Sequence, residues 1–362
     1  MAQLPILVVE DDPFLRMVGI VLDPSTSAER RAAFADFFAH EEGDFEGYCA
    51  RVRARVGKLF PCQVLLVGTV DEMHAKLAGA RGLIVESLPV GQAELSAAGN
   101  DLVAVQKYGV MPRNIDAAAC AQRGIKVLTF RRRANIACAE HAITLMLTLA
   151  KKMHRLAGRI SPEQLAAEGY AYKPFDRRHT PNSNWGRISG VRILYGSTLG
   201  IIGMGEIGRE IALRAAAFGM RIFYYQRKPL PTAVERDLEI NYVPLEQLLA
   251  TSDWIVTQLP SGPSTRHLID RSRFAQMKPG ARLVNIAWPE IVDRAALIEA
   301  LRSGHLGGFA LDPQYAAPGR SDDELLNFKN VVLSPHIAAQ PRFNALDDIS
   351  DLLADLAGII AP

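Results

Sequence analysis

The sequence predicts an α/β protein whose parallel sheets are covered by helices, and three observations predict it. Short apolar runs alternate with stretches of helical period through most of the chain. One such run leads straight into Gly203-Met204-Gly205-Glu206-Ile207-Gly208, a glycine-rich turn that opens a helical pattern. The length, 362 residues, exceeds what one hydrophobic core usually organises and favours two domains.

Taken in order, the first third offers strands at residues 6–9, 64–67, 82–85 and 102–105, with amphipathic stretches such as 28–40 between them. Acidic residues after a first strand, here Glu10-Asp11-Asp12, also occur in phosphoacceptor receiver domains. Such a domain needs an acid at the end of a later strand, and the run 64–67 is followed by Gly68-Thr69-Val70, so a solvated strand end is the simpler reading. Residues 134–151 place Ile136, Ile143, Met146 and Leu147 at helical spacing, in a helix long enough to bridge two domains. Residues 158–197 hold three prolines, several glycines and few periodic features, which predicts an extended connecting loop. A more regular βα series follows from 198 to 334. The apolar-periodic helix 344–360 is expected to return to the first domain.

Composition narrows the function classes. Hydrophobic residues are 49% and charged residues 22%, the balance of a globular chain, and a net charge of +2 gives no electrostatic reason to expect nucleic acid or an anionic membrane as partner. Cys49, Cys62, Cys120 and Cys138 are far apart and form no C-x-x-C pair. Reduced thiols in a cytoplasmic protein are expected, with neither a metal site nor a disulfide framework. No basic leader with an apolar run opens the chain, and no apolar stretch reaches about 18 residues, so neither a signal peptide nor a membrane span is expected.

The glycine turn carries the chemistry. Leu199, Ile201 and Ile202 form a buried-strand signal before it, and Ile207, Ile211, Ala215 and Phe218 continue a helical face to Gly219. In that setting Gly203 permits the tight turn, Gly205 lets backbone approach a pyrophosphate, and Gly208 lets helix and strand pack closely. The amides around Glu206 and Ile207 then face the anion. At the end of the next strand, where a carboxylate would bind the ribose 2′-hydroxyl of NAD, stand Gln226, Arg227 and Lys228. A glutamine does not repel a 2′-phosphate and the two cations can pair with it. NADP is therefore favoured, with NAD the alternative.

The run Ser197-Thr198-Leu199-Gly200-Ile201-Ile202 and the turn after it closely resemble the nucleotide-binding signature of D-2-hydroxyacid dehydrogenases. Further segments match in the family's order: Asn114-Ile115-Asp116, Gly124-Ile125-Lys126-Val127, Ala139-Glu140-His141-Ala142, Thr265-Arg266-His267-Leu268-Ile269, Met277-Lys278-Pro279-Gly280, Leu283-Val284-Asn285 and Ser334-Pro335-His336-Ile337. The resemblance covers roughly residues 80 to 340. It implies a Rossmann nucleotide-binding domain (134–337, including the connecting loop) inserted in a flavodoxin-like α/β substrate domain (1–133 plus 338–362), with the active site in the cleft between them. It also implies a homodimer, a small-molecule substrate of the 2-hydroxy or 2-oxo acid class or another carbonyl compound, and cofactor contacts from Leu259, Pro260, Thr265, Ala287, Asp312 and His336.

Family chemistry uses an arginine to hold the substrate carboxylate, a histidine to exchange the proton that accompanies hydride transfer, and a glutamate to orient that histidine. His336 stands at the histidine position. Trp288 stands at the arginine position, within Asn285-Ile286-Ala287-Trp288-Pro289, and Ala317 at the glutamate position, before Pro318. An indole carries no charge and cannot clamp a carboxylate; alanine offers a histidine nothing. In the substrate loop, Met111 replaces a usual glycine between Val110 and Pro112. Arg113 and the cluster Arg131-Arg132-Arg133 are candidates for a replacement cation. The expected activity is NAD(P)-dependent hydride transfer with altered substrate preference. The alternatives are a dinucleotide-binding sensor or scaffold, and a non-redox, lyase-type enzyme that retains the cofactor.

Overall fold

The computed structural model describes residues 4–181 and 183–361. It divides into two compact units, one made of the described residues up to Asn135 and from Gln340 onward, the other of Ile136–Ala339. Among the described residues no helix is long and apolar enough to cross a membrane.

The first unit is built on five parallel strands, β1 (Ile6–Glu10), β2 (Gln63–Val67), β3 (Ala80–Val85), β4 (Ala104–Lys107) and β5 (Lys126–Leu128). Their order is β2-β1-β3-β4-β5, the flavodoxin-like doubly wound arrangement. The strand expected at 102–105 lies two residues later. The apolar run stops at Val105, yet Gln106 and Lys107 are buried too, because the Lys107 ammonium donates to the carbonyl of Glu86 and the Gln106 amide donates to that of Lys107. Polar residues whose donors reach backbone carbonyls can thus extend a buried strand that hydropathy ends early.

The Phe343–Ile360 helix belongs to this unit, and it buries Leu346, Ile349, Leu352, Leu353, Leu356 and Ile360 at helical spacing. Each such side chain contributes roughly 1.5–3 kcal/mol of burial. The Tyr48 hydroxyl donates to the Leu346 carbonyl (2.7 Å), and Arg133 pairs with Asp348 (3.0 Å) and Asp351 (2.7 Å). The helix expected at 28–40 forms as Ala28–Phe38, capped by Ser27, but Phe38 is its only fully buried side chain. Its apolar residues are too scattered to make the amphipathic face expected of them; Arg31 fastens it instead, donating to the carbonyls of Ile20 (2.8 Å) and Asp23 (3.0 Å).

The second unit has seven parallel strands, β6 (Thr198–Ile202), β7 (Arg221–Tyr225), β8 (Ile240–Tyr242), β9 (Trp254–Thr257), β10 (Arg282–Asn285), β11 (Gly308–Leu311) and β12 (Val331–Leu333). The order β12-β11-β10-β9-β6-β7-β8 starts at the centre with β6, proceeds outward through β7 and β8, then reverses through β9. This is the Rossmann topology, with its switch point between β6 and β9. Helix Arg133–Lys151 leads into the unit. Among its described residues the segment 158–197 holds one short helix, Pro162–Ala167, that the reading as an extended connecting loop omits. Its signal was local: Ser161 and Gln164 form a capping box around a proline at the first turn.

Candidate active site on the dinucleotide-binding unit

The glycine turn emerges from β6 at the switch point, held between its neighbours. The Gly203 amide donates to the Tyr225 carbonyl at the end of β7 (2.8 Å), and the Gln258 amide after β9 donates to the Ile202 carbonyl (2.7 Å). Gly203 has φ +101°, a conformation L side chains rarely adopt, and a Cβ there would be driven into the Gln258 carbonyl. On Gly208 a Cβ would strike the Gly203 carbonyl, so this residue lets the Glu206–Ala217 helix start hard against the turn. Gly205 is different: a Cβ there would meet nothing within 4 Å. Its missing side chain serves open space in front of a twelve-residue helix, where first-turn amides lack intrahelical acceptors. That cradle fits a dinucleotide pyrophosphate.

The other expected cofactor residues gather around this edge. The Leu259 side chain is 2.9 Å from the Cβ position of Gly203. Thr265 donates from Oγ1 to the Pro260 carbonyl (2.7 Å), closing the turn after β9. At the end of β7 the Gln226 side-chain amide donates to the Lys228 carbonyl (2.6 Å), while Arg227 and Lys228 extend into solvent without an ion pair among the described residues. At the end of β10, buried Asn285 organises the chain with one side chain. Its Oδ1 accepts from Thr257 Oγ1 and from the Ala287 amide (both 2.9 Å), and its Nδ2 donates to the Trp288 carbonyl (3.1 Å). The Trp288 side chain is 55% exposed.

Asp312, at the end of β11, is fully buried and holds the segment that carries His336. Oδ1 accepts from the Ile337 amide (2.9 Å) and Ser334 Oγ (2.7 Å), and Oδ2 accepts from the Ala338 amide (2.9 Å). Since Ser334 gives its only proton to Asp312, His141 Nε2, 2.9 Å from Ser334 Oγ and 3.2 Å from Asp312 Oδ1, carries the proton and donates into the pair. Burial alone would push the Asp312 carboxyl up. The hydrogen bonds from His141, Ser334 and the two amides outweigh it and hold the group below the usual carboxylate range. Gln314 adds a brace, donating from Nε2 to the carbonyls of Asp312 (2.8 Å) and Ser334.

His336 itself is exposed, at φ +58°, with its amide bonded to the Asp312 carbonyl (3.1 Å) and its ring without a hydrogen-bond partner among the described residues. Ala317, 19 residues earlier in the chain, is exposed and offers only a methyl group. His141 and Ser334 are therefore supporting residues to which the sequence reading gave no role, although both lie in segments quoted for the family resemblance.

The expected substrate residues lie in the first unit, on the loop after β4. Val110 and Arg113 are exposed and Met111 half-buried, and the Arg113 amide donates to the Met111 carbonyl (2.9 Å). Of the candidate cations, Arg133 is engaged by Asp348 and Asp351, and Arg132 stacks over the Tyr108 ring at 4.0 Å.

A model of the NAD-binding domain of D-isomer specific 2-hydroxyacid dehydrogenases matches residues 143–338. The chain is similar to a glyoxylate reductase of Thermococcus gammatolerans, 36% identical over 250 residues that cover 69% of this chain and 70% of that protein. A hydroxypyruvate reductase of Thermotoga maritima is 34% identical over 271 residues, covering 74% and 81%. Among solved structures, the TT0316 protein of Thermus thermophilus superposes with a TM-score of 0.52 at 30% identity, over 85% of this chain and 91% of that one. With its glycine cradle and its clasped histidine on one sheet, the chain belongs to the D-isomer specific 2-hydroxyacid dehydrogenase family and is an oxidoreductase acting on CH–OH groups.

Proposed function

We propose that the enzyme uses NADP in preference to NAD and interconverts a 2-hydroxy and a 2-oxo acid, or a kindred carbonyl compound, with His336 exchanging the proton. The observation that carries the proposal is the Asp312 clasp, which spends a buried carboxylate on holding the loop of a single exposed histidine. When bound, the nicotinamide supplies or accepts the hydride. In the reducing direction the His336 imidazolium gives a proton to the substrate oxygen as the carbonyl carbon gains the hydride; in the oxidising direction the neutral ring takes it back. Leu259, Pro260, Thr265, Ala287 and Asp312 are assigned to the cofactor side through the turns they build. Arg227 and Lys228 take the 2′-phosphate, with Gln226 offering no charge against it. The loop with Val110, Met111 and Arg113 takes the substrate's carboxylate end.

With a tryptophan at 288 and an alanine at 317, the substrate is larger or more aromatic than a two-carbon acid, and turnover is slow. A homodimer in the cytoplasm is the assembly this reading assumes, and sedimentation velocity measures it. The main test is oxidation of NADPH and of NADH across a panel of 2-oxo acids, aldehydes and ketones, with dissociation constants for both dinucleotides. Tighter binding of NADPH and turnover of at least one aromatic 2-oxo acid are expected. Tight dinucleotide binding with no oxidation across the panel overturns the reading, and tighter NADH binding overturns the cofactor preference.

A further inference from the structure

The amino-terminal edge of the seven-stranded sheet, the end away from the glycine turn, holds a cavity of about 670 Å³ where β6, β9 and β10 begin. That volume lies within the range of small-molecule sites. Its walls include Arg192, Tyr195, Asp253, Trp254, Lys278 and Arg282, three cations against one acid. The acid is already engaged: Asp253 Oδ1 accepts from Lys278 Nζ (2.6 Å) and Oδ2 from the Thr198 amide (2.9 Å).

The two guanidinium groups have no such partner. Arg282 is half-buried, lies 5.1 Å over the Trp254 ring, and makes one long contact to the Gly280 carbonyl (3.5 Å). No carboxylate among the described residues lies within ion-pair distance of Arg282 or Arg192. Burial, and then the like charge of Arg192, hold Arg282 below the ordinary arginine value against the smaller opposing pull of Asp253. A half-buried cation beside a second cation is costly, and an anion reaching both guanidiniums would relieve it. Beside them Tyr195 is 75% and Ile193 62% exposed, an apolar surface facing the same space.

We propose that this cavity binds a small aromatic carboxylate, its carboxylate between Arg192 and Arg282 and its ring against Tyr195 and Ile193. The site is separate from the cofactor turn and does not depend on the reaction proposed above. The probes are benzoate, benzyl alcohol and inorganic phosphate, titrated by calorimetry into the full chain saturated with NADPH. Benzoate is expected to bind at least about tenfold more tightly than either other probe. Arg192→Met and Arg282→Met are each expected to weaken benzoate by about tenfold or more, with the NADPH dissociation constant unchanged. Arg192 is exposed, so its replacement reads the site even if the Arg282 variant folds poorly. Undiminished benzoate binding in Arg192→Met, no benzoate binding at all, or phosphate binding as tight as benzoate would each overturn the proposal.

Discussion

Two regions on the carboxyl edge of one sheet encode function in opposite ways. The 203–208 turn works through backbone: three glycines set a left-handed residue, an open cradle and a close helix approach, and no side chain does chemistry. The ends of β10 and β11 present side chains, and there stand Trp288 and Ala317, at the positions the family resemblance assigns to an arginine and a glutamate. Backbone function persists while sterics are kept. Side-chain function changes with one residue, even though Asn285 and Asp312 keep the loops that present those positions firmly built.

The largest expected effect probes the side-chain region. His336→Asn keeps a residue that tolerates the left-handed backbone but removes the ring proposed to exchange the proton, so kcat is expected to fall by about 10³ with dinucleotide binding intact. A turnover number within threefold of wild type would dissolve the contrast. Next comes the clasp. Asp312→Asn turns an amide donor toward donors of the 337–338 backbone and is expected to cost about 3 kcal/mol in thermal or urea unfolding at neutral pH. The Asp312 carboxyl is depressed in the folded state, so its stabilisation is present above the unfolded carboxylate value and is lost as pH falls through the lower folded one. Melts across pH should therefore show the gap between wild type and variant holding down to about pH 4 and closing only below it.

Gly205→Val tests the backbone region. Since a Cβ there meets no protein atom, the melting temperature should stay put while the NADPH dissociation constant rises by about 10². A large loss of stability would mean the cradle is structural. The smallest effect is a gain: Trp288→Arg with Ala317→Glu should raise kcat/KM for a small 2-oxo acid such as glyoxylate by about tenfold or more. No gain would show that the two loops have diverged beyond these two side chains.

Legibility followed the same divide. Strand, glycine turn and helix could be read because each glycine answers a local steric demand, and the helix at 343–360 because six aliphatics repeat at its period. Beta-strand 4 was displaced because buried Gln106 and Lys107 look like a strand end to hydropathy, and the Pro162–Ala167 helix because its evidence is a cap rather than a period. The Asp312 network was hidden for a different reason. Its donors come from His141 on a helix, Ser334 after β12 and the amides of Ile337 and Ala338, and only the folded sheet brings them to one carboxylate.

The left-handed backbone at His336 has a bearing on whether this chain is a working catalyst. A non-glycine residue at φ +58° carries about 1 kcal/mol of conformational cost, which a glycine would not. At an ordinary position a change to glycine loses about that much stability; here His336→Gly should leave the melting temperature level or slightly raised while turnover disappears. The left-handed conformation is kept at the fold's expense, and paired melting and turnover measurements on His336→Gly read what the imidazole returns for it.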